Sequence, residues 1–490
     1  MSRKIFRIHA DDSVASALAD IAAGETLFAP TGPVIATGAI PRGHKIALRD
    51  HQPGAAVIKF GQPVGSATAA IPAGSHVHSH NLSTMLDSES ALRHSTAMAA
   101  PGISSDRTWL GYDRGSSAGT RNEIWILPTV GCVGRTAQRI ATQSAVRHAG
   151  RVDGIHAFAH PFGCSQLGDD LSATRAMLAA LAGHPNAGGV LIVGLGCESN
   201  QLASLLAALP PGGPPIRTLI AQTCPDELAT GLALVDELVE IAATAQRTTL
   251  PLSRLCVGLK CGGSDGLSGL TANPLLGRFT ETLAASGGRA ILTEIPEIFG
   301  AEHLLLARSG PEIAATGYAL VADFKDYFRK NGERVSENPS PGNIAGGITT
   351  LEEKSLGAVQ KAGRAMVTDV IRYAGRATQP GVTLLEAPGN DAVSSTALAG
   401  AGATLILFTT GRGTPLGFPA PTIKVASNSA LALAKPGWVD FDAGPAIDGD
   451  LHALDAEFLD CIIAHASGQS TASERNEERE IAIWKRGVTL

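Results

Sequence analysis

The spacing of apolar residues changes near residue 108 and separates the chain into regions with different expected structures. Up to residue 93, short apolar runs alternate with Pro and Gly turns roughly every 8–12 residues, as in small β-barrels and β-sandwiches. The composition of Ala15 to Ala22 predicts one short helix in this region. We therefore expect a small β-rich domain over residues 1–93 and a Ser- and Ala-rich linker over 94–107.

Beyond the linker, buried strands alternate with amphipathic helices. Four strand–loop–helix units begin with "EIWILPTVGC", "GIHAFAHPFGC", "GGVLIVGLGC" and "IRTLIAQTC". After Pro251 the alternation resumes, with strands predicted at "RLCVGLKC", "GVTLLEAPG", "ATLILFTTG" and "PTIKVASN". Such repeats are typical of parallel sheets covered by helices on both faces. The predicted fold class is α/β, with a doubly wound domain over 108–250 and a second α/β domain over 251–490.

The composition narrows the choice of partners and compartment. The net charge is −6 and aromatic residues make up 4% of the chain, so no basic surface is expected to attract nucleic acid or an anionic membrane. No uninterrupted apolar stretch reaches the ~18 residues that a membrane span needs, and the N-terminus lacks the apolar core of a signal peptide. Seven scattered cysteines make a poor disulfide framework. These observations predict a cytoplasmic globular protein that acts on small molecules.

Cysteines recur at the predicted strand ends. Each of Cys132, Cys164, Cys197 and Cys261 follows an apolar run inside a Gly-containing turn, and Cys224 sits similarly. Open parallel sheets bind ligands at the carboxyl ends of their strands, where thiolates can ligate iron or an iron–sulfur cluster. In the alternative interpretation, cysteine is a small apolar residue that fits tight turns. No turn carries a complete dinucleotide or phosphate-loop motif, so a nucleotide-dependent enzyme is not predicted.

Three histidines alternate in "GSHVHSHN" at positions 76, 78 and 80. In an extended strand, His76, His78 and His80 would project to one face, because strand side chains repeat every two residues. Imidazoles at that spacing can share one metal ion, although an exposed polar strand face would show the same pattern.

Other polar side chains stand in predicted loops. Arg412, among glycines in "TTGRGTP", is placed to grip a substrate carboxylate with two hydrogen bonds, unless it is only a solvated loop residue. Asn343 in "ENPSPGN" is a second candidate for substrate binding. Arg121 and Asn122 precede a strand, where the alternative is a surface turn.

Longer motifs carry a resemblance to a known family. They are "RGHKIAL", "GSHVHSHN", "RNEIWILPTVGCV", "FGCSQLGDD", "CGGSDGLSG", "ENPSPGNIAGGITTLEEKSLG", "APGNDAV" and "TGRGTP". Their order and extent make the whole chain resemble the altronate/galactarate dehydratase family of sugar-acid dehydratases. The resemblance implies that the N-terminal β-rich region is an SAF-type domain joined to a large dehydratase region.

The resemblance also implies a reaction. The expected enzyme is a hydro-lyase that removes water from a sugar acid, foremost D-altronate, giving 2-dehydro-3-deoxy-D-gluconate in hexuronate catabolism. Galactarate dehydration, a related sulfolactate-type lyase and a non-catalytic sugar-acid binding protein remain the alternatives. A homo-oligomer is compatible with the resemblance, and dependence on Fe²⁺ or Mn²⁺ is implied by it.

The roles of individual residues are expectations at this point. The histidine triplet and the strand-end cysteines are expected to meet at one site between domains. His76, His78 and His80 would hold the metal, or His76 and His78 would move protons. Candidates for the general base also include His160, Asp265 and Lys354, without ranking. In the second version of the metal site, Cys132, Cys164, Cys197 or Cys261 would ligate an iron–sulfur cluster with an open iron.

Overall fold

The computed structural model describes residues 3–86, 99 and 102–490. The first of these ranges is built from short strands paired antiparallel in three small sheets, β1-β2-β5-β8, β3-β4 and β6-β7-β9. Its strands are β1 (Ile5–Phe6), β2 (Val14–Ala17), β3 (Thr26–Ala29), β4 (Gly32–Ile35), β5 (Lys45–Ala47), β6 (Ala56–Lys59), β7 (Gln62–Ala67), β8 (His76–Val77) and β9 (Leu82–Ser83). The β-rich N-terminal region is confirmed, and we call residues 3–86 the N-terminal unit.

The helix predicted from Ala15 to Ala22 is wrong. Val14–Ala17 is strand β2, which lies between β1 and β5 with all four residues buried. The helix propensity of alanine is a weak preference, and pairing with two neighbouring strands overrides it. The predicted linker, 94–107, lies partly outside the described residues.

The middle of the chain confirms the four strand–helix units. After β10 (Thr108–Asp113) and β11 (Ala118–Gly119) come β12 (Glu123–Pro128), α1 (Gly134–Arg147), β13 (Gly154–Ala157), α2 (Gly168–Ala182), β14 (Ala187–Gly194), α3 (Leu202–Ala207), β15 (Ile216–Ile220) and α4 (Glu227–Ala242). The parallel sheet has the order β13-β12-β14-β15. Its two central strands are buried along their whole length, as expected for a sheet covered on both faces.

A larger parallel sheet forms the C-terminal half of the chain. After β16 (Thr248–Pro251), which pairs with β10, come β17 (Cys256–Cys261), α5 (Ala272–Ala285), β18 (Arg289–Leu292), α6 (Glu302–Leu306), α7 (Pro311–Lys330), α8 (Pro341–Ala345), α9 (Leu351–Ala358), β19 (Val367–Ile371), β20 (Gly381–Leu385), α10 (Asp391–Gly400), β21 (Leu405–Thr410), β22 (Thr422–Ala426), α11 (Ser429–Ala434), β23 (Phe441–Asp442), α12 (Leu451–Ala466) and α13 (Ala472–Arg475). The sheet order is β19-β20-β18-β17-β21-β22-β23. The predicted α/β class is confirmed.

The strand order indicates where each parallel sheet is built to bind a ligand. In the larger sheet, β18 lies on one side of β17 and β21 on the other. In the smaller sheet, β13 and β14 flank β12 in the same way. Connections that leave a strand in opposite directions open a crevice at its carboxyl end. Ligand binding is therefore expected at the carboxyl ends of β17 and β12.

Buried ion pairs join the N-terminal unit to α9. Lys45 and Lys59 place their ammonium groups 2.7 and 2.8 Å from the two carboxylate oxygens of Glu353. Thr350 donates a hydrogen bond to the Val64 carbonyl of β7. These contacts position the N-terminal unit against the larger sheet. In the part of the chain that the structure describes, no helix combines the length and apolarity needed to cross a membrane.

Candidate active site

Four imidazole rings cluster where the N-terminal unit meets the C-terminal half. The ring centroids of His44 lie 5.1 Å from His76 and 4.8 Å from His78, and His76 lies 5.5 Å from His80. The extended conformation that would align His76, His78 and His80 is present only in β8, because the chain turns after Val77. The turn, stabilised by the His78 amide donating to the Asn81 side chain, still gathers the rings. His44 joins them from just before β5.

The backbone of α8 sets the tautomers of two rings. His44 and His78 each place Nε2 against a carbonyl oxygen, those of Ala345 at 3.3 Å and Ile344 at 3.0 Å. A carbonyl only accepts, so both nitrogens carry hydrogen and both Nδ1 atoms hold lone pairs. His44 Nδ1 then accepts from Nε2 of His76 at 3.0 Å.

The rings of His44, His76 and His78 are neutral at neutral pH. Burial, followed by the neighbouring imidazoles, lowers the pKa of His76 to about 4. Burial also lowers the pKa of His44 and of His78. Neutral imidazoles can accept a proton or bind a metal ion, so the cluster can serve in either capacity.

Helix α8, which contacts these rings, also contacts loops at the carboxyl end of the larger sheet. Asn343 of α8 donates from Nδ2 to the Ser264 carbonyl after β17, and its Oδ1 accepts from Lys354 at 3.1 Å. Arg412, after β21, is exposed and donates from Nη1 to the Gly342 carbonyl at 3.0 Å. Asn343, Lys354 and Arg412, three of the predicted residues, thus lie around α8.

Buried charged side chains occupy the carboxyl end of β17 and its neighbours. We call this set the lysine–carboxylate group; its members are Lys260, Cys261, Glu294, Glu297, Lys354, Lys361 and Asp391. All except the half-buried Asp391 are buried. Glu294 holds its backbone at φ 66°, a conformation that costs energy for a residue with a side chain and is concentrated at functional sites.

Each acidic side chain of the group faces an ammonium. Lys354 lies 2.8 Å from Glu297, Lys361 lies 3.1 Å from Glu294 and 2.9 Å from the Cys261 sulfur, and Lys260 bridges Glu294 and Asp391. Burial, and then Glu294, raise the pKa of Cys261 to about 12. Burial, the largest single effect, lowers the pKa of Lys354, but Glu297, Cys261 and Glu294 together outweigh it and raise that pKa. Lys354 therefore remains an ammonium across the neutral range.

The lysine–carboxylate group also has donors for a metal ion. Among the described residues, Cys261, Glu294 and Glu297 are the one set of three His, Cys, Asp or Glu side chains whose ligand atoms all lie within 4.8 Å of one another. A cysteine sulfur and two carboxylates are donor types that bind divalent metal ions, the sulfur after losing its proton. The set is compatible with a metal cofactor. The nitrogens of His76, His78 and His80 do not converge in this way, because the chain turns after Val77.

A cavity of about 20 Å³ adjoins the group, between the N-terminal unit and the larger sheet. It is lined by Lys59, Cys261, Asp265, Glu353 and Lys354, among others. The volume is enough for about one water molecule.

Two predicted acid–base candidates have structural roles instead. His160 is buried, with Nε2 2.8 Å from the Pro128 carbonyl and Nδ1 accepting from the Phe162 amide, so both ring nitrogens hold the loop after β13. Asp265 Oδ1 accepts from the Ser268 amide and hydroxyl, both at 2.8 Å, and from Ser427. Asp265 shapes the loop after β17, and we withdraw both residues as bases.

The predicted substrate-binding roles of Arg121 and Asn122 also fail. Nε and Nη2 of Arg121 donate to Glu474 at 2.9 Å, and its remaining N–H groups go to backbone carbonyls. No donor is left for a substrate carboxylate. Asn122 is buried between Arg114 and the Ala242 carbonyl. Both precede β12, at the opposite edge of the sheet from the strand ends that bind ligands.

The strand-end cysteines divide between the two sheets. Cys261 ends β17 and is buried, whereas Cys132, Cys164 and Cys197 are exposed and follow β12, β13 and β14. The four thiols therefore do not form one cluster. The residues that sequence reasoning missed are His44, Glu294, Glu297 and Lys361. These residues are recognisable only because they are buried next to one another in the folded structure. Their positions are too far apart along the chain for any sequence motif to connect them.

The chain matches three family models in succession. Residues 3–85 match the altronate/galactarate dehydratase SAF domain. Residues 111–243 match the second domain of D-galactarate dehydratase/altronate hydrolase, and residues 252–489 match the D-galactarate/altronate dehydratase C-terminal model.

Curated relatives match over the full length. The chain is 48% identical to an altronate dehydratase of Escherichia coli (strain K12), over 99% of each chain. It is 46% identical to an altronate dehydratase of Bacillus subtilis (strain 168), over 100% of each. It is 32% identical to a galactarate dehydratase (L-threo-forming) of Escherichia coli (strain K12), over 84% of this chain and 82% of the relative.

Proposed function

The chain belongs to the altronate/galactarate dehydratase family, and we propose that it converts D-altronate to 2-dehydro-3-deoxy-D-gluconate by removing water. Membership makes it a hydro-lyase of sugar acids. The choice of altronate over galactarate is supported by 48% and 46% identity to altronate dehydratases, against 32% to a galactarate dehydratase.

One observation carries the assignment of the active site. The helix α8 contacts both the imidazole cluster, through the carbonyls of Ile344 and Ala345, and the lysine–carboxylate group, through Asn343. Neutral imidazoles and the Lys354 ammonium, whose pKa is raised, thereby contact one short helix. Pairs of titratable groups whose environments push their pKa values apart are the usual arrangement for acid–base chemistry.

The reaction needs a base and an acid. Dehydration of a 2,3-dihydroxy acid removes a weakly acidic proton from C2 and a poor leaving group, hydroxide, from C3. Within the imidazole cluster we assign the base to His76 or His78, because both rings are neutral. We assign the acid that protonates the departing hydroxyl to the Lys354 ammonium. The enol product then tautomerises to the 2-keto-3-deoxy acid.

Charge stabilisation comes from the same group. The enediolate that forms after proton removal is an anion, and the Lys354 ammonium beside Asn343 is oriented before the reaction begins. Arg412, anchored to Gly342 by one N–H, retains further donors for a substrate carboxylate. When bound, Fe²⁺ or Mn²⁺ would be held by Cys261, Glu294 and Glu297 and would act as a Lewis acid toward the substrate oxygens.

Two further assignments rest on the sequence. We propose domain boundaries at residues 93, 107 and 250, supported by the three separate matches to family models. We also propose a reducing, cytoplasmic compartment, supported by seven cysteines that are all free thiols.

Substrate assays test the proposal. The purified chain, supplied with Fe²⁺ or Mn²⁺, is incubated with D-altronate, galactarate and sulfolactate, and formation of keto acid or sulfite is followed. We expect kcat/KM for D-altronate to exceed that for galactarate by at least about tenfold. Release of sulfite, or a preference for galactarate, would select one of the alternative lyases. Binding of altronate without turnover would indicate a non-catalytic binding protein.

A further inference from the structure

The smaller parallel sheet carries thiols that the proposed reaction does not use. In the sheet order β13-β12-β14-β15, the strands are followed by Cys164, Cys132, Cys197 and Cys224. The first three are exposed free thiols on three adjacent strands. They stand at the carboxyl end of β12, where its neighbours lead away in opposite directions and a ligand crevice is expected.

Hydrogen bonds hold the three cysteine-bearing loops together. The amide of Gly131 donates to the Phe162 carbonyl at 2.9 Å, which joins the loop of Cys132 to that of Cys164. The amide of Asn200 donates to the Gly163 carbonyl at 2.9 Å, which joins the loop of Cys197 to that of Cys164. Glu198 accepts from the Thr129 hydroxyl at 2.5 Å and links the loops of Cys197 and Cys132. The triangle of loops is therefore closed by direct contacts.

A glycine precedes each of the three thiols and permits this close approach. A Cβ on Gly163, which has φ +100°, would lie 2.2 Å from the Thr129 carbonyl oxygen. A Cβ on Gly131 would lie 2.9 Å from the His160 carbonyl oxygen. No other residue fits at Gly163 without moving the neighbouring loop. The Gly–Cys pairs therefore place the three thiols at the carboxyl end of the smaller sheet, and the backbones of their loops pack directly against one another.

We propose that Cys132, Cys164 and Cys197 ligate an iron–sulfur cluster of the [4Fe–4S] type, whose fourth iron has no thiolate from this sheet. Each of the three thiols loses its proton on binding and forms one Fe–S bond. Cys197 Sγ accepts a hydrogen bond from Gln222 Nε2 at 3.3 Å, which its thiolate can keep. The thiol of Cys224 is half-buried and lies 3.0 Å from the Thr230 hydroxyl, and we leave it outside the ligand set.

As they stand, the three thiols are too far apart to share a single ion. Thiolates on one tetrahedral ion, at metal–sulfur distances of about 2.3 Å, lie within about 4.6 Å of one another. Cys132, Cys164 and Cys197 are not among the described residues whose ligand atoms all lie within 4.8 Å. A cluster binds each thiolate to a different iron and accepts a wider triangle. This site is separate from the Cys261, Glu294 and Glu297 set, and the proposal does not depend on the identity of the sugar acid.

The test is the iron and acid-labile sulfide content of the full-length chain purified without oxygen. We expect about four acid-labile sulfides per chain and about four irons beyond any Fe²⁺ at Cys261, Glu294 and Glu297, with broad visible absorbance. The variants Cys132→Ser, Cys164→Ser and Cys197→Ser should each lose most of the sulfide and the absorbance. Cys461→Ser, a partly buried thiol in α12, is the matched control and should keep both.

The sulfide content distinguishes the proposed cluster site from the active site. Glu297→Gln should leave the sulfide content unchanged, because Glu297 belongs to the lysine–carboxylate group. The exposure of the three thiols makes serine a mild replacement, and thermal unfolding at the wild-type temperature would show that each variant is folded. Iron without sulfide, or rapid maleimide labelling of all three cysteines in the oxygen-free wild-type protein, would overturn the proposal.

Discussion

The ammonium of Lys45 lies 2.7 Å from the carboxylate of Glu353, although 308 residues separate them along the chain. Lys59 binds the other oxygen of the same carboxylate, and all three side chains are buried. Lys45 directly follows His44, so this contact fixes the imidazole cluster against α8. The geometry of the active site therefore depends on an ion pair that takes no part in the chemistry.

Removal of the shared carboxylate should destabilise the protein. In Glu353→Gln, two buried ammonium groups lose their counter-charge, and breaking a buried pair typically costs about 3–5 kcal/mol. We expect a loss of that size in denaturant-induced unfolding. Glu237→Gln removes an exposed partner of Arg217 and should change stability by less than about 0.5 kcal/mol. An unfolding midpoint for Glu353→Gln equal to that of the wild type would contradict this role.

A second buried pair predicts how stability depends on pH. Burial, the largest single effect, raises the pKa of Glu474, but Arg121, Arg479 and the Thr471 amide together outweigh it and lower the pKa from 4.5 to about 2. The unfolded chain therefore takes up this proton at higher pH than the folded chain. The stabilisation is complete above about pH 4.5 and is lost as pH falls toward 2, by about 3 kcal/mol. In urea unfolding, the free energy of unfolding of Glu474→Gln should fall less steeply than that of the wild type as pH decreases over this range. An unchanged slope would mean that other groups cause the loss of stability in acid.

The imidazole cluster should be needed for turnover and not for folding. His78→Ala removes a neutral ring that contacts the Ile344 carbonyl, and we expect kcat to fall at least about 100-fold. The thermal unfolding temperature should change little, because the His78 ring is only partly buried. His452→Ala, an exposed histidine at the start of α12, is the control. Activity of His78→Ala within twofold of the wild type would remove the cluster from the mechanism.

Metal affinity should depend on Glu297. Glu297→Gln removes one of the three converging ligands, and we expect Mn²⁺ to bind about 10–100-fold more weakly in titration calorimetry. Glu386→Gln removes a carboxylate that pairs with Arg372 outside the group and should bind Mn²⁺ as the wild type does. Equal affinity in both variants would place the metal elsewhere, with the imidazole cluster as the first alternative. Treatment with a chelator should abolish turnover, and added Fe²⁺ should restore it.

Local patterns in the sequence predicted the fold better than the site. Strands such as β14 are continuous apolar runs between glycines, so their burial and parallel pairing follow from composition over a few residues. The helix expected at Ala15 failed because pairing of β2 with β1 and β5 is a long-range contact. Local propensity contains no information about such partners.

The candidate site residues show the same difference between local sequence patterns and long-range contacts. Arg412 directly follows β21, where the general rule for parallel sheets places ligand contacts. Asn343 and Lys354 stand in α8 and α9, away from any strand along the chain, and only the motif "ENPSPGNIAGGITTLEEKSLG" singled them out. Arg121 looked equally suitable, yet Glu474 engages it from more than 350 residues away. Glu294 and Glu297 follow β18 without any recognisable motif, and they gain meaning only beside Lys260, Lys354 and Lys361. Such pairings are properties of the folded chain.

The separation of Lys45 from Glu353 also has a consequence for the order of events during synthesis. A ribosome adds about 5–20 residues per second, so roughly 15–60 s pass between the appearance of Lys45 and that of its partner 308 residues later. In that interval both lysines of the N-terminal unit remain hydrated, on a surface that will later be buried. Because an unpaired ammonium is costly to desolvate, this surface favours hydration over burial until α9 emerges with the carboxylate that pairs with both lysines.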